Sequence, residues 1–170
     1  MTEDELFDKW KKWIYTFAIA DIEHALDGDS LQIGLIILSL IATEALSGYY
    51  CGRPADRGTF VSFVERYFPP EYVPYASDIY ASLRNGLAHD YIVKGTERAK
   101  NPFYLNGKVG EPHLQRVNAD EAYPIAFNRV QVAKDLLVAW RRYSREAESE
   151  PELFARVQRR IAARGFMIVE

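Results

Sequence analysis

Ten consecutive residues, Ile33-Gly34-Leu35-Ile36-Ile37-Leu38-Ser39-Leu40-Ile41-Ala42, carry no charge and almost no polar surface. Wound as a helix of about 3.6 residues per turn, this run is apolar nearly all round, so other elements must enclose it. It is far shorter than the roughly 20 residues that cross a bilayer, which makes it the expected axis of a core and not a membrane span. Glu44 follows at the end of the run. We read it as emerging at the helix end, with a carboxylate partner for an active-site base as the less favoured alternative.

The flanking sequence supplies the enclosing helices. Thr2 and Glu5 have capping-box spacing ahead of Leu6, Trp10, Trp13 and Phe17, which form one helical stripe and predict a first helix to about Ala25. Asp29 with Gln32 repeats the spacing before the apolar run, Asn128 with Gln131 before Val130, Ala133, Leu137 and Trp140, and Ser149 with Glu152 before Phe154, Val157 and Ile161. Asp56 is placed to cap a short helix carrying Phe60, Phe63, Val64 and Tyr67, which Pro69-Pro70 stops. Between Tyr91 and Phe127 the helical period vanishes, and Gly, Pro and Asn punctuate β-prone pieces at Phe103 to Leu105, His113 to Val117 and Tyr123 to Phe127. The predicted fold is all-α: a single domain over 1–170, built as a bundle of five or six helices with a small antiparallel ribbon or loop inserted at about 91–127. The apolar tail Phe166 to Val169 is expected to pack on the body or on a second subunit.

A formal net charge of −3 over 170 residues argues against coating nucleic acid by bulk positive charge, although a local basic cleft would not show in that total. Lys94, Arg98, Lys100 and Lys108 are read first as a solvated surface and second as a phosphate grip. Cys51 is the only cysteine, and the first residues are acidic where a secretory leader would be basic, so a reducing, cytoplasmic setting is expected. No Gly-rich phosphate loop, metal-spaced histidine pair or serine-nucleophile elbow is present. His24 is read as a helix-end or core residue, and His113 receives no role.

What remains is the stretch from Asp78 to Tyr91. Ile79, Leu83 and Leu87 mark a buried face, while Asp78, Ser82, Asn85 and His89 fall at i, i+4, i+7 and i+11 as a polar stripe. Arg84 lies about 140° around from His89 on an α-helix, but its long stem lets the guanidinium bend toward the stripe. Gly86 costs about 1 kcal/mol relative to Ala inside a helix, so its presence points to close backbone approach by another element or a ligand. The helix is expected to start near Pro74 and end near His89.

Arg84-Asn85 followed by His89 resembles the signature of the HEPN superfamily of small helical domains, an Arg, four to six residues, then a His, with a polar residue after the Arg. Asp90-Tyr91 extends it to the Arg-x4-His-x-Tyr form of toxin members encoded beside a nucleotidyltransferase antitoxin. With 14 Arg and 3 His in the chain, shuffling yields an Arg five before a His about 0.25 times, so the added polar residue and helical surroundings carry the resemblance. It implies metal-independent cleavage of RNA without a cofactor, with Arg84, Asn85 and His89 catalytic and Ser82, Tyr91 and Lys94 binding substrate. It also implies a homodimer in which two such sets face one cleft, and an antitoxin of nucleotidyltransferase type as a further partner. Two readings stand beside it: a non-catalytic interaction or RNA-binding module, and a toxin restrained by modification of Tyr91.

Overall fold

A computed structural model describes residues 2–28, 32–95, 102–117 and 124–164. These form six helical rods, five of them around the central helix at Gln32–Cys51, with a small strand insertion beside them. The expected all-α bundle with a minor β element is the observed architecture.

The first rod opens with α1 (Glu3–Ile14), where the Thr2 hydroxyl accepts from the Glu5 N–H at 3.2 Å and the Glu5 carboxylate accepts from the Thr2 N–H at 2.8 Å. A π turn at Tyr15–Ile19 then interrupts it before α2 (Ala20–Gly28). The wider turn rotates the chain relative to the α-helical stripe, so the single continuous helix expected to Ala25 is corrected here. Trp10 keeps its inward place, fully buried against Tyr49, Trp140 and Tyr143 at centroid distances of 5.1, 5.9 and 6.1 Å. Phe17, in the middle of the π segment, is instead 51% exposed.

Helix α3 (Gln32–Cys51) carries the apolar run and packs on the helices at Arg57–Tyr67, Arg129–Ser149 and Pro151–Arg164. By length and composition alone it is long and apolar enough to cross a membrane; in this fold it is the axis of the bundle. Its buried hydroxyls are satisfied within the helix, Ser39 on the Leu35 carbonyl and Thr43 on the Ser39 carbonyl, both at 2.7 Å. Enclosure is incomplete: Ile33 and Ile41 are 37% and 43% exposed, so one strip of the all-apolar surface has no cover. The proposed cap Asp29 lies outside the described residues.

Helix α4 (Arg57–Tyr67) is capped by Asp56, whose carboxylate accepts from the Thr59 N–H at 2.8 Å while the Thr59 hydroxyl accepts from the Asp56 N–H at 2.9 Å. It stops before Pro69-Pro70, as expected. A 3-10 turn at Pro70–Tyr75 absorbs Pro74, and the next rod begins only at Ala76. This rod consists of α5 (Ala76–Asp78), a π turn at Ile79–Arg84 and α6 (Asn85–Asp90). Helices α7 (Arg129–Ser149) and α8 (Pro151–Arg164) complete the bundle. Asn128 caps α7 through bonds from the Val130 and Gln131 N–H groups. Ser149 does not cap α8: its hydroxyl turns back to the Arg145 and Glu146 carbonyls, and Pro151 opens the helix, where its missing N–H costs nothing.

In the insertion, β1 (Phe103–Asn106) pairs with β2 (Ile125–Asn128) in parallel, Phe103 opposite Ile125. The expected antiparallel ribbon is thus corrected in its main ladder. Residues 114–117 supply an antiparallel contact on β2, with Leu114 N–H to the Ala126 carbonyl and Ala126 N–H to the Gln115 carbonyl, both 2.7 Å. The chain turns after Asn106-Gly107, where the Glu111 carboxylate accepts from the Gly107 and Lys108 N–H groups at 3.0 and 2.9 Å. The tail Phe166 to Val169 lies outside the described residues.

His113, given no role from sequence, ties this insertion to the bundle. Its Nδ1 accepts from the Asn128 N–H at 2.9 Å and its Nε2 meets the Tyr72 hydroxyl at 2.8 Å, which in turn donates to Asp135 Oδ2 at 2.8 Å. The second Asp135 oxygen accepts from Gln131 at 2.9 Å. Burial pushes the imidazole down to about 4 and the Asp135 carboxyl up. Between about pH 6.5 and pH 4 the unfolded chain binds a proton that folded His113 refuses, so up to about 3 kcal/mol of stability is lost across that window as pH falls, and no more below it. The raised Asp135 acts oppositely, binding its proton more readily when folded and so offsetting part of the loss. Denaturant melts over this range should be steeper in pH for wild type than for His113→Gln; equal slopes would remove His113 as the cause.

Candidate functional site

The site grows from the π turn. The Asn85 N–H reaches back five residues to the Tyr80 carbonyl, so Ile79–Arg84 winds wider than an α-helix. The four-residue polar stripe expected from α-helical spacing does not survive this change. Ser82 is fully buried, and its hydroxyl donates to the Lys94 carbonyl. That contact occupies Ser82 within the fold and away from the exposed groups proposed to meet substrate.

Lys94 reaches Ser82 because the chain turns sharply after α6. Tyr91 adopts a left-handed conformation at φ 57°, its N–H capping the Gly86 carbonyl, and the following loop lies back along the rod. The Lys94 N–H then donates to the Ser82 carbonyl at 3.2 Å. Gly86 makes this return possible: a Cβ there would stand 2.3 Å from the Ile92 carbonyl oxygen and 3.0 Å from the Lys94 nitrogen. The close approach expected from this glycine is therefore met by the chain's own loop. At the loop end Lys94 pairs with Asp90, while Tyr91 is 71% exposed. Arg98 and Lys100 lie outside the described residues.

Arg84 is held on two sides. Its Nε donates to Glu44 Oε2 at 2.6 Å and its Nη2 pairs with the same carboxylate, whose other oxygen accepts from the Tyr80 hydroxyl at 3.2 Å. Its Nη1 donates to Asn85 Oδ1 at 3.0 Å and lies 3.4 Å from His89 Nε2. The guanidinium carbon also sits 5.8 Å from the Tyr80 ring centroid. The Arg84 and Glu44 side chains are 20% and 13% exposed, so the ion pair is largely withdrawn from water, whereas His89 is exposed. Burial and the neighbouring Glu44 raise the Tyr80 phenol above its usual range.

Three of the six candidate residues, Arg84, Asn85 and His89, thus converge on one Nη1 atom. Ser82, Tyr91 and Lys94 do not join them: one is buried in the loop clamp, one is exposed beyond the helix end, and one is paired to Asp90. Sequence reading passed over Tyr80 and set Glu44 aside. Its one usable signal was that Glu44 is the only charged residue in the 20 residues of α3, which called for a partner across the fold. Among the described residues no three His, Cys, Asp or Glu side chains lie grouped to hold a metal ion. No family model, no curated protein and no solved structure matches this chain.

Proposed function

We propose that the protein is a metal-independent endoribonuclease of the HEPN type, acting in the cytoplasm as a toxin or defence component. The observation that carries this reading is the convergence of the Arg84 Nη1, the Asn85 amide oxygen and His89 Nε2 within 3.4 Å at an exposed helix end. His89 takes the proton from a ribose 2′-OH, whose oxygen attacks the adjacent phosphorus as the bond to the 5′ oxygen breaks; the departing oxygen takes a proton. Arg84 offsets the charge that builds on the phosphoryl oxygens, and Asn85 fixes the side-chain geometry. Glu44 positions the guanidinium by holding its opposite edge.

The reaction needs a base and an acid, and this cluster has one imidazole. A homodimer supplies the second, and the uncovered strip of α3 supports it: Ile33 and Ile41 precede Glu44 by eleven and three residues, so the strip runs into the site along one helix face. Purified protein given a mixed RNA substrate with chelator present should yield products ending in 2′,3′-cyclic phosphate and should sediment as a dimer.

The second reading is a non-catalytic HEPN-like interaction or RNA-binding module. It draws on the Glu44 pairing, which offsets the charge that Arg84 would offer to a phosphate. Binding of RNA without cleavage by the wild-type protein would decide for it. A nucleotidyltransferase-type antitoxin acting on Tyr91 belongs to the toxin form of the first reading.

A further inference from the structure

A second cation stands next to the rod that carries Arg84. Arg57 opens α4, and both its Nε, at 2.7 Å, and its Nη2 point at the Ser77 hydroxyl oxygen. Ser77, Tyr80 and Arg84 follow one another on three successive turns of the rod. Half-buried Tyr80 falls between Ser77 and Arg84 along the rod, with its ring 5.3 Å from that of Phe60 on α4 and the Arg84 guanidinium 5.8 Å from its centroid.

Two of the three arginines near Tyr80 have carboxylate partners. Arg84 is offset by Glu44, and Arg53 by Asp56, whose carboxylate also caps α4. Among the described residues Arg57 has no carboxylate partner; a hydroxyl orients its guanidinium without neutralising it. The position is also opposed by the helix, because a cation in the first turn faces the positive end of the α4 dipole, a cost of about 0.3–1 kcal/mol. An exposed cation kept against that field and aimed by a neutral group is suited to meeting an anion.

We propose that Arg57, oriented by Ser77, grips a second phosphodiester of a single-stranded RNA whose scissile phosphate lies at Arg84 and His89, with the Tyr80 ring as an aromatic surface between the two phosphates. This rests on the ribonuclease reading and extends it from a single scissile bond to a polynucleotide track. Seven residues of helix separate Ser77 from Arg84, roughly 10 Å of rise, a span that a short stretch of sugar-phosphate chain bridges.

The test is binding of a fluorescent, unstructured oligoribonucleotide made uncleavable by 2′-O-methylation, titrated at several salt concentrations with wild type, Arg57→Ala and Arg57→Lys. Losing one phosphate contact to a single strand should lower the slope of log affinity against log salt by about 0.7 and weaken low-salt binding several-fold, while Arg57→Lys restores the slope. The Arg57→Ala melting temperature should equal or slightly exceed that of wild type, which separates lost contact from lost fold. An unchanged slope in Arg57→Ala overturns the subsite and leaves the ribonuclease reading standing. Wild type that neither binds the oligonucleotide nor cuts RNA overturns both. A lowered slope without cleavage supports the subsite and favours the binding module.

Discussion

His89→Ala and Arg84→Ala are each expected to reduce RNA cleavage by on the order of 10²–10⁴-fold, the loss that follows removal of a proton carrier or of the group that stabilises transition-state charge. Neither change should unfold the protein, because the core face of this rod is made by Ile79, Leu83 and Leu87, all buried, and His89 is exposed. Arg84→Ala leaves the largely buried Glu44 carboxylate without its cation and should lower stability as Glu44→Gln does. Asn85→Ala should cost less, since an orienting amide contributes through geometry alone. Glu44→Gln should fall between, because it keeps an oxygen near the Arg84 Nε but removes the charge that fixes the guanidinium. It also leaves a mostly buried cation unpaired, which should lower stability by roughly 1–3 kcal/mol. Cleavage and melting are to be measured on the same preparations. A His89→Ala protein that cuts like wild type removes His89 from the mechanism; a Glu44→Gln protein equal to wild type in both measurements removes the positioning role.

Gly86→Ala is expected to destabilise the protein by about 1–3 kcal/mol, a melting-temperature drop of roughly 2–12 °C for a chain of this size. Helix propensity alone predicts the reverse, a gain of about 1 kcal/mol. The decisive fact is that the new Cβ would stand 2.3 Å from the Ile92 carbonyl oxygen, a backbone atom that moves only with its loop. Displacing that loop breaks the Lys94 N–H to Ser82 carbonyl bond and the Ser82 hydroxyl contact, leaving buried polar groups without partners. A Gly86→Ala protein as stable as wild type would show that the loop does not lie against the helix. Hydrogen exchange at the Lys94 amide gives a local check, since it should speed up in this variant.

Caps, stops and the central helix were legible in the sequence because each depends on residues a few positions apart. Thr2 with Glu5, Asp56 ahead of α4, Asn128 with Gln131 and the stop at Pro69-Pro70 are such local devices. The Arg84, Asn85 and His89 grouping was legible for the same reason, as three side chains within six residues. Gly86 announced a close neighbour, although not which one.

Tertiary structure decided what depends on distant partners or on a change of helical pitch. The two π turns each widen a helix, and that moved Phe17 outward and broke the polar stripe that included Ser82. Periodicity at about 3.6 residues cannot report such a turn, because the altered hydrogen bond is in the backbone and leaves no mark in side-chain type. Glu44 and Arg84 are 40 residues apart, and His113, Tyr72 and Asp135 are drawn from three segments. The sequence by itself determined which segments coil and where they end, since capping and apolar spacing act over single turns. Only the fold decided which buried polar groups meet, because low dielectric makes an unpaired charge costly and the partner is chosen by packing and not by chain proximity.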